Sequence, residues 1–526
     1  MSMPQPSSGL LEQLSGCLGQ EHVLTDDYSC AFYAQDVYSQ GTPALAVARP
    51  GSTAELSAVV RACTAAGYAV IPRGGGMSYT SGYVPAEPDS VVVDTSRMSR
   101  VLEINAEDMY VTVECGCTWQ ALHEALADTG LRTPYWGTLS GRYATVGGGL
   151  SQNAIFWGSG QFGSAADSVI GLEVVLADGS VVRTGSGAQV NGSPFFRHYG
   201  PDLTGLFTCD SGALGFKAVI TLRLIPQLPA KEYLAMDFKS GADALAAMSE
   251  IGRKGLAMEC FGFDPYLQSQ RMKRESLAAD VKSLTGVMKS SGSVFGALKE
   301  GAKVAFAGRR YMNEVDFSIQ VIVEERCPEA AQLMARQVRD IIARHNGREI
   351  ENSIPKIVRA NPFGPVNNMV GPEGERWVPV HALLPHSKVI AAFAGVEAIK
   401  ERHAALIEEH GIGMGYLFAT VSTNCFALEP VFFWPDELNE LHRKSITPDH
   451  LKRLKGFPAN EASRAAVATI RQDIIELFTG MGGVHLQIGK SYRYREGLDA
   501  NTLKLISSIK ELVDPQNRVN PGSLGL

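Results

Sequence analysis

Arg73-Gly74-Gly75-Gly76-Met77-Ser78-Tyr79 follows directly on the apolar run YAVIP. Three consecutive glycines let successive backbone N–H groups turn inward around an anion, where a Cβ would collide, so the loop has the makings of a pyrophosphate cradle. It is not G-x-G-x-x-G and lacks a Gly-Lys-Ser/Thr ending, so neither a nicotinamide fingerprint nor a nucleoside triphosphatase loop is supported. A second glycine element, Ala144-Thr145-Val146-Gly147-Gly148-Gly149, is followed by Ser151, Gln152 and Asn153, then by Gly163-Ser164-Ala165-Ala166-Asp167. Taken singly, each run could equally be an ordinary turn. Together they account for much of the glycine excess, 54 residues, roughly a tenth of the chain against a usual ~7%.

The elements around these loops read as alternating strand and helix. Residues 44–49, a helix over 53–66 and YAVIP ending in the glycine loop make a βαβ-like opening. Strands at 91–94 and 110–116, a helix at WQALHEALADTG and a glycine turn at TVGGG follow. GLEVVLADGSVVRTG predicts two strands joined at Asp178-Gly179, which supplies the positive φ a tight hairpin needs, and residues 214–226 predict one more strand. This is an α/β or α+β domain ending near Pro226. Beyond Leu228 the texture changes to amphipathic helices near 241–253, 327–345 and 388–410, set among strands such as VDFSIQVIVEE and RWVPVHALL. A terminal helix, TLKLISSIKELVDP, runs into the extended end QNRVNPGSLGL. The expected domains are 1–228, 229–470, and a carboxyl-terminal segment 471–526 that returns to the first.

A chain of 526 residues, 45% hydrophobic and 20% charged, is globular by composition, and its formal charge of −7 gives no global attraction for nucleic acid. The nine cysteines are scattered without C-x-x-C or zinc spacing, so a reduced, cytoplasmic setting and no metal are expected. No signal-peptide pattern and no membrane-length apolar run is read. One stretch, 271–310, is locally basic: Arg271, Lys273, Arg274, Lys282, Lys289, Lys299, Lys303, Arg309 and Arg310 stand against Glu275, Asp280 and Glu300. It reads either as a solvated helical lid or as a surface for an anionic membrane or an acidic partner.

The ordered set PRGGG-x-S, TVGGG, FGSAAD leading into GLEVVLADGSVVRTG, DLTGLFTCDSGALGFKAVITL and the closing DPQNRVNPG resembles the FAD-binding domain of the vanillyl-alcohol oxidase / p-cresol methylhydroxylase flavoprotein superfamily. The resemblance covers 40–226 and 480–526; the middle matches in general character, as a cap (substrate) domain would. It implies an α+β fold with a p-cresol methylhydroxylase-type FAD-binding domain plus an α/β cap, with substrate between them. It implies that Arg73, Gly74, Gly75, Gly76, Met77, Ser78 and Tyr79 hold the FAD pyrophosphate. Thr145, Val146, Gly147, Gly148, Gln152 and Asn153 would run along the ribityl and isoalloxazine. Gly163 and Ser164 would lie close to the flavin, Ile220 near the adenine, and Asn520 would approach from the carboxyl terminus. Many members attach the flavin through a His in the first loop; here Met77 stands there, and residues 374–377 offer no His or Tyr, so non-covalent FAD is expected.

The resemblance also bears on the substrate. Phenol-oxidising members carry a Tyr-Arg pair like Tyr492-Arg493, and Tyr79 is a candidate third member of that cluster. Such donors stabilise a phenolate, which eases hydride loss from the para carbon to flavin N5. His485 is a candidate base. In the D-2-hydroxy-acid dehydrogenases of the same superfamily, a comparable His would abstract the hydroxyl proton while Arg493 pairs with the carboxylate. A third alternative is a catalytically silent flavin-binding subunit. A small aromatic substrate, oxygen or a redox protein as electron acceptor, and a homodimer complete the expectation.

Overall fold

A computed structural model describes residues 8–274 and 315–526. Most of the basic segment, 275–310, therefore lies outside the described residues. The chain divides into two compact units. The first comprises residues up to Ile155, Ser164–Gln227 and His485–Leu526; the second comprises Phe156–Gly163 and Leu228–Val484.

In the first unit, β1 (Val23–Leu24), β2 (Ala46–Ala48), β3 (Ala69–Arg73) and β4 (Ser90–Asp94) form a sheet of order β1-β2-β4-β3, with β2 and β3 both parallel to β4. Helix α1 (Thr53–Ala65) makes the crossover. Ser52 caps it by accepting from the Glu55 N–H, and Leu56, Val59, Val60 and Cys63, at helical spacing, form its buried face. A second sheet, order β5-β6-β9-β7-β8, contains β5 (Val101–Asn105), β6 (Tyr110–Glu114), β7 (Val169–Val175), β8 (Val181–Arg183) and β9 (Phe216–Arg223). The β7–β8 hairpin turns at Asp178-Gly179 as expected, with Gly179 at φ 82. The carboxyl tail joins the outer edge of β3: the Val70 N–H donates to Arg518 O at 2.8 Å and the Asn520 N–H to Val70 O at 2.9 Å.

Two details differ from the sequence reading. TVGGG is not a turn but the start of helix α2 (Val146–Ser151), because the Thr145 hydroxyl accepts from the Gly148 N–H at 3.1 Å and caps it. The chain re-enters the first unit at His485, not at 471, because the long helix Glu461–Gly480 packs on helix Val389–Arg402 in the second unit.

The second unit is built on an eight-stranded sheet. Its strands are β10 (Ala230–Phe238), β11 (Glu259–Phe263), β12 (Phe317–Glu325), β13 (Arg348–Ile350), β14 (Arg376–Pro379), β15 (Ala382–Leu384), β16 (Gly413–Val421) and β17 (Cys425–Trp434). They run in the order β13-β10-β12-β11-β16-β17-β14, with β15 also on β17. Helices Gly241–Arg253, Pro328–Arg344 and Val389–Arg402 pack on this sheet. Phe393 lies edge-on to Tyr416 and Phe418, at 5.0 and 6.0 Å between centroids. The helix expected over 388–410 is broken at His403 into two. Among the described residues no helix is long and apolar enough to cross a membrane.

Candidate functional site

The first glycine loop leaves the sheet where β3 ends. Arg73 is buried, and its guanidinium lies over the rings of Tyr33, Phe32 and Tyr83 at 4.5, 5.2 and 5.5 Å, so aromatic faces hold a charge that would otherwise be costly inside. The Tyr83 hydroxyl donates to Gly76 O at 2.6 Å and ties down the loop. At Gly75 a Cβ would sit 1.8 Å from Tyr143 O, so only glycine permits this approach of two loops. Among the described residues, no protein acceptor takes the backbone N–H of Gly74, Gly75, Gly76 or Met77. Successive N–H donors without internal partners form an anion-binding concavity.

The second glycine run packs just as tightly. A Cβ at Gly147 would meet Cys115 O at 2.8 Å, and one at Gly149 would meet the Trp119 indole at 2.8 Å. Between the runs lies a cleft of about 1030 Å³, bordered by Arg73–Tyr79, Thr145, Gly147–Gly149, Gln152, Ser211, Lys217 and Gln487. Cys115 also borders it, with its thiol pushed up to about 12 by burial, so it remains protonated at neutral pH.

The carboxyl tail completes the cleft. The Gln487 N–H donates to Gln152 O at 2.8 Å, and Gln487 Nε2 donates to Tyr79 Oη at 3.1 Å. Gln152 Oε1 is buried without a hydrogen-bond partner, an acceptor that a ligand in the cleft would satisfy. Asn520 is fully buried, and its Nδ2 donates to both Gly82 O and Ser211 O at 2.7 Å, joining the tail to the loops. Beneath them, Lys217 Nζ donates to Asp210 Oδ1 at 2.7 Å, and Lys510 Nζ donates to Asp514 at 2.6 Å and to Ala213 O at 2.8 Å. Cys209, Ser211 and Gly212, at φ 54, 47 and 70, make the sharp turn these contacts hold in place.

Of the residues expected at the cofactor, Arg73, Gly74, Gly75, Gly76, Met77, Ser78, Tyr79, Thr145, Gly147, Gly148 and Gln152 border this one cleft. Six others do not. Val146 is fully buried in the core. Asn153, at φ 50, accepts through Oδ1 from the Ala166 N–H. Gly163 groups with the second unit. Ser164 hydrogen-bonds to Asp167. Ile220 sits in mid-sheet opposite Val113 and Leu172. Asn520 braces the cleft from behind. Tyr492 is buried and stacks its ring on His485, 4.1 Å between centroids and 5° from parallel, while Arg493 is exposed; none of the three borders the cleft. Gln487 and Lys217 were missed. The only sequence signal for Lys217 is a lone charge in the apolar strand FKAVITL, and Gln487 stands two residues past the His that drew notice.

The residues present fit FAD: a run of unpartnered N–H donors for a pyrophosphate, glycine walls, and an unsatisfied acceptor at Gln152. The FAD binding domain family matches residues 44–185. An uncharacterized FAD-linked oxidoreductase of Mycobacterium tuberculosis (strain ATCC 25618 / H37Rv) is 30% identical over 253 residues, 48% of this chain and 53% of that protein. A D-2-hydroxyglutarate dehydrogenase of Xanthomonas citri pv. viticola is 31% identical over 241 residues, 45% of this chain and 49% of the other. The chain thus spans about half the length of the curated relatives it matches. The structure of p-cresol methylhydroxylase with substrate bound is similar in fold, with a TM-score of 0.73 at 17% identity over 98% of this chain and 96% of the other. With its glycine cleft and its match to the FAD binding domain family over residues 44–185, the chain carries an FAD-binding domain, its cofactor is FAD, and its fold is that of the p-cresol methylhydroxylase-type flavoproteins.

Proposed function

We propose that the protein is an FAD-linked oxidoreductase that oxidises a small aromatic alcohol or para-substituted phenol. The observation that carries this reading is the Tyr79 hydroxyl, held at the cofactor cleft by Gln487. When bound, FAD supplies a two-electron acceptor for hydride. Tyr79 Oη accepts from Gln487 Nε2, which fixes the phenol at the cleft wall, where its hydroxyl would face a substrate oxygen bound against the flavin. A donor aimed at a phenol oxygen favours its anion, and the anion eases departure of hydride from the para carbon. His485 is stacked on Tyr492 and does not border the cleft, so its role as base for an alcohol rests on the sequence resemblance and not on this geometry. Arg493 is exposed and adds nothing to the cleft wall, so the weight falls on Tyr79 rather than on a Tyr-Arg pair. Met77 borders the cleft where covalent attachment would need a nucleophile, which supports non-covalent FAD.

A second reading, a D-2-hydroxy-acid dehydrogenase, is favoured by the relative named D-2-hydroxyglutarate dehydrogenase. In it His485 abstracts the hydroxyl proton and Arg493 pairs with the carboxylate. Anaerobic mixing with 4-hydroxybenzyl alcohol and, separately, with D-2-hydroxyglutarate, followed as loss of the flavin band near ~450 nm, tests both. Bleaching by the phenol alone supports the leading reading; bleaching by the acid alone replaces it. Bleaching by neither favours a flavin-binding subunit without catalysis.

A further inference from the structure

Between β8 and β9 of the first unit the chain runs through a long loop that leaves its apolar side chains in the open. Val190, Phe195, Phe196, Tyr199 and Leu203 are 96%, 59%, 52%, 57% and 50% exposed, and they are five of the thirteen exposed large hydrophobic side chains among the described residues. A single exposed leucine or phenylalanine is ordinary, but such a concentration marks an interaction surface. Phe195 and Phe196 lie 6.4 Å apart between centroids, and His198 is edge-on to Phe196 at 6.0 Å, so these rings form one cluster.

The loop is braced from within. The Ser186 N–H donates to Phe196 O at 2.7 Å, and Ser186 Oγ donates to Ser193 O at 2.7 Å while accepting from the Phe196 N–H at 2.9 Å. The Phe195 N–H donates to Ser193 O at 3.0 Å. A Cβ at Gly192 would meet Ser186 O at 2.2 Å, so only glycine lets the loop close on itself. Arg197 turns inward: its Nη2 donates to Asp202 Oδ2 at 2.9 Å and its Nη1 to Ala166 O, and its side chain is only 18% exposed. The amides beneath the rings and the arginine between them thus have partners inside the protein. Covering the rings with an apolar medium leaves none of these groups unpaired, and the loop has little freedom left to lose.

Charge selects the occupant. Residues 179–201 contain Arg183, Arg197 and His198 and no Asp or Glu, in a chain with 55 acidic residues and a formal charge of −7. This stretch can approach an anionic surface without the repulsion that the rest of the chain carries. A protein partner ordinarily exchanges about one hydrogen bond per 100–200 Å² of interface, whereas lipid asks for none, and the Phe195 and Phe196 amides are already spent. We propose that the loop bearing Phe195, Phe196, Tyr199 and Leu203 docks on the surface of an anionic lipid bilayer, with its rings at the level of the headgroups. The attachment is peripheral and does not depend on which substrate is oxidised.

The test is co-sedimentation of full-length, FAD-loaded protein with vesicles of equimolar phosphatidylcholine and phosphatidylglycerol. The variants are Phe195→Ser/Phe196→Ser, Tyr199→Ser and the control Leu505→Ser, whose side chain is 63% exposed in the terminal helix. Wild type and control are expected to partition alike, the double variant about tenfold less and Tyr199→Ser about threefold less. Melting temperature and FAD content should stay unchanged in all of them, because the exposed rings cover little of the core. No partition of the wild type overturns the proposal. Equal partition of the wild type, the double variant and Tyr199→Ser also overturns it and assigns vesicle binding to the basic stretch 271–310. Stronger partition onto phosphatidylcholine alone overturns the choice of an anionic surface. Sedimentation velocity without vesicles supplies the last arm: a wild type that self-associates, with the double variant reduced to a smaller species, makes a second copy of the chain the occupant and overturns the proposal.

Discussion

Gln487 Nε2 donates to Tyr79 Oη at 3.1 Å across 408 residues of chain. The bond joins the first glycine loop to the returning tail and fixes the Tyr79 phenol at the cofactor cleft, which Tyr83 also borders with its hydroxyl given to Gly76 O. Tyr79→Phe removes the Tyr79 hydroxyl and is expected to lower kcat/KM for a para-hydroxybenzylic alcohol by roughly 100- to 1000-fold with FAD still bound, the range for losing one preorganised donor. Gln487→Leu should cost less, and the double variant no more than Tyr79→Phe alone, since the two act as a unit. Stopped-flow flavin reduction of the three variants checks this.

Gly75→Ala would force a Cβ to 1.8 Å from Tyr143 O. The two loops must part, and the protein should purify with little or no FAD. The control Gly497→Ala, which meets nothing within 4 Å, should keep its flavin. The ratio of flavin to protein absorbance reads both.

Lys217 and Asp210 pair at 2.7 Å with side chains only 2% and 1% exposed. Lys217→Met leaves the Asp210 carboxylate buried without its cation, and is expected to cost about 3–5 kcal/mol in urea unfolding. Adding Asp210→Asn should recover much of that loss, because no charge then remains to be desolvated.

Lys490 donates through Nζ to Val84 O at 2.7 Å, and burial lowers its ammonium to about 8 from the ordinary 10.5. Between those values the unfolded chain binds more protons than the folded one, so this group makes stability rise with pH across 8 to 10.5. Below pH 8 the penalty is fully present, at most about 3 kcal/mol. Lys490→Met should therefore be more stable than wild type at pH 7, with the difference shrinking as pH approaches 10.5. Urea midpoints of both proteins across this range measure it.

Precipitation with acid should release all of the FAD into the supernatant, since Met77 offers no group for a covalent link in the first loop. Flavin fluorescence retained on the protein pellet would contradict non-covalent binding.

The cradle was legible because its causes are local. A strand ending in three glycines, and a Thr four residues before a third glycine, constrain backbone geometry within a few residues of themselves; Arg73–Tyr79 and Thr145–Gly149 accordingly border one cleft, apart from the inward-facing Val146. The αL turn at Asp178-Gly179 and the helix capped by Ser52 follow from the same short-range sterics and hydrogen bonding. The Tyr492-Arg493 pair illustrates the opposite case. Adjacent residues of suitable chemistry do not fix where each side chain points, and here Tyr492 turns in against His485 while Arg493 faces solvent.

The sequence alone determined the glycine loops and the alternation of elements, because glycine permissiveness and hydrophobic period act at short range, while the FAD class followed from the resemblance of the ordered motifs to a known family. Only the tertiary structure decided that Gln487 reaches Tyr79 and that Lys217 is paired beneath the cleft. Those relationships depend on strand register and on where the tail docks, which are set by packing between segments as far as 408 residues apart.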